Sequence, residues 1–205
     1  MFLSVLALLI AANAETVDKA DTQLFASQQL PAEPGLYYRW DPSRSWGQPT
    51  LVQTIREVGE ELAWILPNAD PLLIGDVSQR GGGRIFGHTT HNVGVDVDVG
   101  LYTGESKQPF GGFVDVRSTE LDLAANWAVI RTLLNTDRVA FILLDQRHIN
   151  ALRAYLLDDL KMAPEVVDPI FPIIDEYMPW DQRGVVRHAP NHRSHLHVRI
   201  TQTSS

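Results

Sequence analysis

Two segments that lie far apart in this sequence alternate strictly between apolar and polar residues. Gly94 to Leu101 alternates valines with aspartates, and His195 to Ile200 alternates aliphatic residues with two histidines and an arginine. Because successive side chains of a β-strand point to opposite faces, both segments predict half-buried strands. If these strands are neighbours with their polar faces on the same side, Asp98 and His197 converge, and His91 lies just upstream of the first strand.

Histidines are concentrated around these two strands. Five of the seven, His88, His91, His192, His195 and His197, fall in two short windows. The other two, His148 and His188, have no comparable pattern. A lone histidine is more often a structural residue than a ligand, whereas a cluster with carboxylates is typical of a metal site. The pattern therefore predicts a zinc site on the polar face of the sheet.

The rest of the sequence predicts an α+β fold with a small central, mainly antiparallel sheet flanked by helices. Apolar periodicity predicts helices over residues 50–66, 121–134 and 146–160. Short β-rich runs predict strands over residues 71–77 and 139–144. The proline-containing stretches 15–49 and 164–179 predict an irregular lead-in and a loop. The loop Gly81-Gly82-Gly83 either lets backbone approach a ligand or is a plain turn, and both interpretations stay open.

Composition narrows the function classes. At 205 residues, the chain suits one compact domain, which we place at residues 50–205 after the lead-in. The formal net charge is -8 and no basic stripe follows the chain, so nucleic acid is not an expected partner. The absence of cysteine excludes disulfides, thiolate zinc sites and a cysteine nucleophile.

The apolar residues 1–14 end in Ala12-Asn13-Ala14, which is typical of a cleaved secretory signal. The segment is too short to span a bilayer, for which about 20 residues are needed, so we expect no membrane insertion after cleavage. The expected location is periplasmic or secreted.

The proposed zinc ligands are His91, Asp98 and His197. A catalytic zinc usually takes three such ligands and leaves a fourth position for water, whose pKa it lowers to about 7. His195 lies two residues from His197 on the same strand face, and it is the best candidate for the general base. These residues together favour hydrolytic chemistry.

The neighbouring polar residues keep more than one possible role. His88 and His192 either orient the water, stabilise the oxyanion or bind a second ion, and Asp96 is an expected acceptor for a ligand imidazole N–H. Arg84 and Arg199 either hold a substrate carboxylate or pair with aspartate at the surface.

The motif from Thr90 to Asp98, Thr-His-Asn-Val-Gly-Val-Asp-Val-Asp, followed by the late His195-Leu196-His197, resembles the penicillin-insensitive murein endopeptidases. These are related to lysostaphin, the D-alanyl-D-alanine peptidases and the hedgehog domain. The resemblance extends over Leu73 to Ser78, the glycine-rich loop with Arg84, and the last strand, and covers roughly residues 35–200.

The resemblance implies the same three zinc ligands, His195 as the catalytic histidine, and peptidoglycan cross-links at D-alanine as the substrate. The chain departs from the family in lacking cysteines and in having Arg193-Ser194 where acidic residues are expected. Two other functions stay open: a D-alanyl-D-alanine carboxypeptidase or dipeptidase, and a non-catalytic binding module with a structural zinc.

Overall fold

A computed structural model of the chain describes residues 26–173 and 184–201. Within these ranges the strands, numbered β1 to β8 in chain order, are Gln28–Gln29, Tyr37–Arg39, Trp46–Gly47, Leu72–Ile74, Asp96–Gly100, Val139–Leu144, Val186–His188 and His195–Ile200. The helices α1 to α4 are Pro49–Ile65, Leu123–Leu134, Gln146–Ala154 and Pro164–Val167. A π turn over Tyr155–Asp159 extends α3. The α+β class is confirmed.

Six strands form the central sheet in the order β2-β4-β5-β8-β6-β7. The three inner pairings are antiparallel, whereas β2 with β4 and β6 with β7 are parallel. The sheet is therefore mixed, which corrects the expectation of a mainly antiparallel one. Both parallel pairs are joined through a helix, α1 in one case and α3 in the other, because parallel neighbours need a long crossover connection.

Two stretches expected to be irregular contain regular structure. Within the lead-in, β1 and β3 form a separate two-stranded sheet, and β2 joins the edge of the central sheet. Within the expected loop from Pro164, the first four residues form α4, since proline is favoured in the first turn of a helix. The placement of the domain boundary near residue 50 stays a prediction, and the proposed signal segment lies outside the described residues.

The valine face of β5 and β8 lies against the helices. Buried residues of α1 and α2 meet those of β4, β5 and β8 around one small interior cavity, whose lining includes Leu51, Ile55, Val58, Val97, Val99, Val129, Leu133 and Val198. Helix α1 begins at Pro49, and α2 begins after Asp122, whose side chain accepts a hydrogen bond from the Ala125 N–H. With this face covered by helices, the polar face is the one on which a site can form.

No helix among the described residues is long and apolar enough to cross a membrane.

Candidate metal centre

The pairing of β5 with β8 brings the two polar strand faces together. Asp98 lies opposite His197 and Asp96 lies opposite Arg199. Directly opposed residues of an antiparallel pair point to the same side of the sheet. The expectation that the two alternating segments are neighbours, with their polar sides facing the same way, is therefore confirmed.

Three donor atoms meet at this point. His91 Nε2 lies 3.1 Å from Asp98 Oδ1 and 3.1 Å from His197 Nδ1, and His197 Nδ1 lies 3.0 Å from Asp98 Oδ1. All three side chains are buried. The three residues predicted as zinc ligands are thus mutually within hydrogen-bond distance.

The opposite nitrogen of each imidazole is already bound. His91 Nδ1 lies 3.0 Å from the Val77 carbonyl oxygen, and His197 Nε2 lies 3.0 Å from Asp96 Oδ1. Both partners only accept hydrogen bonds, so each of these nitrogens carries a proton. In neutral imidazoles, the two nitrogens that face Asp98 then present lone pairs. Two lone pairs and a carboxylate oxygen within about 3 Å of one another need a positive charge between them, so the donor set fits a divalent metal ion.

A buried ion pair stands behind His197. Arg199 donates to Asp96 through Nε and Nη2, with both distances 2.8 Å. Burial alone would raise the pKa of Asp96, but hydrogen bonds from His197 and Arg199 hold it below its usual value. The ionised Asp96 fixes the tautomer of His197 as the sequence-based hypothesis requires, and Arg199 pairs with this buried aspartate rather than at the surface.

Asp98 and His197 shift each other's pKa in opposite directions. Burial raises the pKa of Asp98, yet hydrogen bonds from His197 and His91 outweigh that effect and keep it well below its usual range. Burial lowers the pKa of His197, but its bonds to Asp96 and Asp98 prevail and raise the pKa to about 9. A metal ion would take the place of the proton that His197 otherwise holds at Nδ1.

His195 lies beside this trio. Its Nε2 is 3.6 Å from Asp98 Oδ1, and its Nδ1 is 3.0 Å from Ser194 Oγ. Burial lowers the pKa of His195 to about 4, so its ring is neutral at pH 7. A neutral imidazole at this position has the form that a proton acceptor needs.

An aromatic ring that the sequence gave no reason to select packs against His195. Phe113 stacks on the imidazole with ring centroids 4.9 Å apart and planes 18° apart. Gly75 makes room for it, because a Cβ at that position would lie 2.4 Å from Phe113 Cε2. Phe113 belongs to a loop with no strand or helix pattern, so periodicity could not have pointed to it.

His88 joins the cluster from the other side. Its Nε2 lies 3.1 Å from Asp76 Oδ2, which also pairs with Arg44, and its Nδ1 lies 3.9 Å from Asp98 Oδ2. His88, His91 and Asp98 form a group able to hold a metal ion. The sequence did not single out Asp76; its position directly after a buried strand and glycine was the available signal.

The remaining predicted residues lie farther out. His192 is held through Nδ1 by the Pro190 carbonyl oxygen at 2.8 Å, and its ring centroid is 5.1 Å from that of His195 and 5.9 Å from that of His197. Arg84 is exposed, and no carboxylate among residues 26–173 and 184–201 lies within ion-pair distance of it. The structure therefore places His192 at the edge of the cluster and Arg84 outside it.

Comparison with known proteins decides the family. A family model described as penicillin-insensitive murein endopeptidase matches residues 20–145. The chain belongs to this family. The matched segment contains His88, His91, Asp96 and Asp98 and ends before β8.

Proteins named penicillin-insensitive murein endopeptidase are similar over most of the chain. One from Haemophilus influenzae is 29% identical over 189 residues, which is 87% of this chain and 60% of that protein. One from Escherichia coli O157:H7 is 25% identical over 163 residues, which is 79% of this chain and 56% of that protein. The chain thus spans less than two thirds of the length of these relatives. The family resemblance expected from the motifs is confirmed.

Proposed function

We propose that this chain is a zinc-dependent D,D-endopeptidase that hydrolyses peptide cross-links in peptidoglycan. The observation that carries the proposal is the convergence of His91, Asp98 and His197, with the opposite nitrogen of each imidazole already bound. The substrate class follows the family and the names of the relatives. Because peptidoglycan lies outside the cytoplasmic membrane, the proposed location is the periplasm or the medium.

His91, Asp98 and His197 would hold the ion, since two imidazole nitrogens and one carboxylate oxygen are the donor types of catalytic zinc sites. When bound, zinc supplies hydroxide at neutral pH and polarises the attacked carbonyl. Asp96 fixes the His197 ring, and the Val77 carbonyl does the same for His91.

His195 moves the proton. His195 Nδ1 lies 3.0 Å from Ser194 Oγ, and Nε2 lies on the Asp98 side of the site. In the tautomer that this role requires, Nδ1–H donates to Ser194 Oγ and Nε2 presents its lone pair. Nε2 accepts the proton of the attacking water and then delivers it to the amine that leaves when the amide bond breaks. Asp98, 3.6 Å from Nε2, stabilises the imidazolium between these two transfers.

The outer residues have supporting roles. His192 flanks His195 at a centroid distance of 5.1 Å and would contact the substrate or its oxyanion. Exposed Arg84, in the loop before His88, would meet a substrate carboxylate.

A structural zinc module is the second candidate, because one observation favours it: His88 belongs to the metal-capable group and is a possible fourth ligand, the third with a nitrogen donor. Its Nε2 is bound to Asp76, and its Nδ1 faces Asp98 Oδ2 rather than the Oδ1 atom shared by the trio. This arrangement supports an open fourth position. His88→Ala separates the two candidates, since a closed site loses zinc with this change and an open site retains it.

The direct test is digestion of purified cross-linked muropeptides by the zinc-loaded protein. We expect dimers to become monomers with the wild type and with His188→Gln, a histidine change outside the cluster. His195→Ala should retain zinc and lose cleavage. Loss of terminal D-alanine without dimer cleavage would instead identify a carboxypeptidase, and intact dimers with zinc bound would contradict the proposal.

A further inference from the structure

Four aromatic side chains form a strip that begins at the candidate metal centre. Phe113, stacked on His195, also meets Trp40 edge to face with centroids 5.5 Å apart. Tyr38 and Phe110 make a second edge-to-face pair at 5.5 Å. Tyr38 lies in edge strand β2, and Trp40 directly follows that strand, where its N–H donates to the Ile74 carbonyl at 2.9 Å and continues the pairing with β4. Two residues apart along this extended backbone, Tyr38 and Trp40 point to the same face of the sheet.

The face that carries this strip is the face that carries the donor trio. Phe113 covers Gly75, and a Cβ on Gly75 would lie 3.3 Å from the Asp98 Cβ on the neighbouring strand. Tyr37, which directly precedes Tyr38, is buried and packs near Gly59 of α1, so it points to the opposite face of the sheet. The strip therefore continues outward from the metal centre across β4 to the edge of the sheet.

The rings are exposed, and contacts within the chain hold them in place. Tyr38, Trp40 and Phe110 expose 45%, 46% and 40% of their surface. The Gly112 backbone, with φ of +117°, lies against the Trp40 indole, where a Cβ would come within 2.7 Å of the ring. Pre-organised aromatic surface of this kind lowers the entropic cost of binding a ligand.

The two arginines that lie closest along the chain to Tyr38 and Trp40 already have partners within the described residues. Arg39, between Tyr38 and Trp40, donates to the Leu30 carbonyl at 2.6 Å, and Arg44 pairs with Asp41 and Asp76. The peptides of peptidoglycan carry carboxylates, which favour free arginine or lysine. The sugar rings of the glycan are uncharged and present C–H faces, which suit the negative face of an aromatic ring.

We infer that the outer aromatic pair, Tyr38 and Phe110, binds a sugar ring of the glycan strand that carries the cross-linked peptide. The inference rests on the proposed function and adds its substrate class. In the bound substrate, the peptide bond to be cleaved lies at His195, and the sugar ring lies at the edge of the sheet beyond Trp40. Sugar-bearing substrate should therefore bind more tightly than the same peptide without sugar.

The test measures binding of uncross-linked muropeptide to the full chain, with the disaccharide present or removed by an amidase. Each aromatic contact should contribute up to about tenfold in affinity. We expect the wild type and Trp64→Ala, an exposed tryptophan on α1, to prefer the sugar-bearing form. Tyr38→Ala and Phe110→Ala should each reduce this preference by up to about tenfold and leave the affinity for sugar-free peptide at the wild-type value.

Because each protein is compared on two ligands, the fraction of folded protein cancels in the ratio. Equal wild-type affinity for the two forms would overturn the inference. So would an equal loss on both forms in Tyr38→Ala and Phe110→Ala, which would indicate that the strip binds peptide. Dimer cleavage is measured separately. Sugar-dependent binding without dimer cleavage would refute the proposed endopeptidase activity and leave the inference of a sugar-binding aromatic pair in place.

Discussion

Replacing Asp96 by asparagine tests the role of the carboxylate behind the metal centre. Asp96 is fully buried and accepts three hydrogen bonds, one from His197 and two from Arg199, at 2.8–3.0 Å. Asparagine keeps one acceptor oxygen but turns an NH2 group towards donors that are already there. His197 then loses the carboxylate that fixes its tautomer, and Arg199 loses the negative charge with which it pairs.

Two magnitudes follow from these contacts. Loss of a carboxylate that orients a metal-bound histidine costs about 10- to 100-fold in metal affinity, equivalent to about 1.4–2.7 kcal/mol. Breaking a buried ion pair costs about 3–5 kcal/mol of folding stability, and the Arg199 side chain, 19% exposed, places this site near the lower end. We therefore expect Asp96→Asn to weaken both zinc binding and the apo fold.

Chelator competition measures the zinc affinity, and urea unfolding of the zinc-free protein measures the stability. Arg199→Gln is the matched comparison, because it removes the same ion pair and leaves the Asp96 carboxylate on His197. Arg199→Gln should lose stability and keep most of its zinc affinity. Wild-type zinc affinity in Asp96→Asn would show that the Asp96 carboxylate does not support His197 as a ligand.

Three further predictions concern the metal and the Phe113 ring that stacks on His195. Free zinc at about 1,000 times its Kd should raise the free energy of unfolding by about 4 kcal/mol, and a urea midpoint that does not change with zinc would contradict a native metal site. Phe113→Leu removes the ring stacked on His195, so kcat should fall while zinc content and KM change little; an unchanged kcat would exclude a positioning role. Gly75→Ala places a Cβ 2.4 Å from Phe113, so it should reproduce the kcat loss of Phe113→Leu in steady-state assays, and the two changes combined should be no worse than either alone.

Strand alternation predicted the centre of the fold well. The segment from His195 to Ile200 forms β8 with the expected boundaries, and its pairing with β5 brings Asp98 and His197 together as the pattern indicated. The signal was strong because one face of each strand is buried under helices, which forces aliphatic residues onto every second position. Helix α1 was predictable for the same reason, with its buried residues at three- and four-residue steps.

The periodicity of apolar residues in the sequence could not predict the edges of the sheet or the residues that surround the site. Strand β2 has only three residues, too few to show alternation, and it joins the sheet through tertiary pairing with β4. Asp76, Phe113 and Trp40 reach the site from segments separated in sequence, through contacts that depend on the folded chain. His148 and His188 have structural contacts instead: His148 pairs with the Arg193 carbonyl, and His188 accepts the Gln146 N–H at the start of α3.

The proposed function requires an open zinc centre with three protein ligands, His91, Asp98 and His197. X-ray absorption at the zinc edge of the metal-loaded protein measures the ligands directly. We expect two imidazole nitrogens at about 2.0 Å and two oxygens at about 2.0–2.2 Å, one from Asp98 and one from water. Three imidazoles and no water oxygen around the zinc would mean that His88 closes the site, and that result would contradict an open catalytic centre.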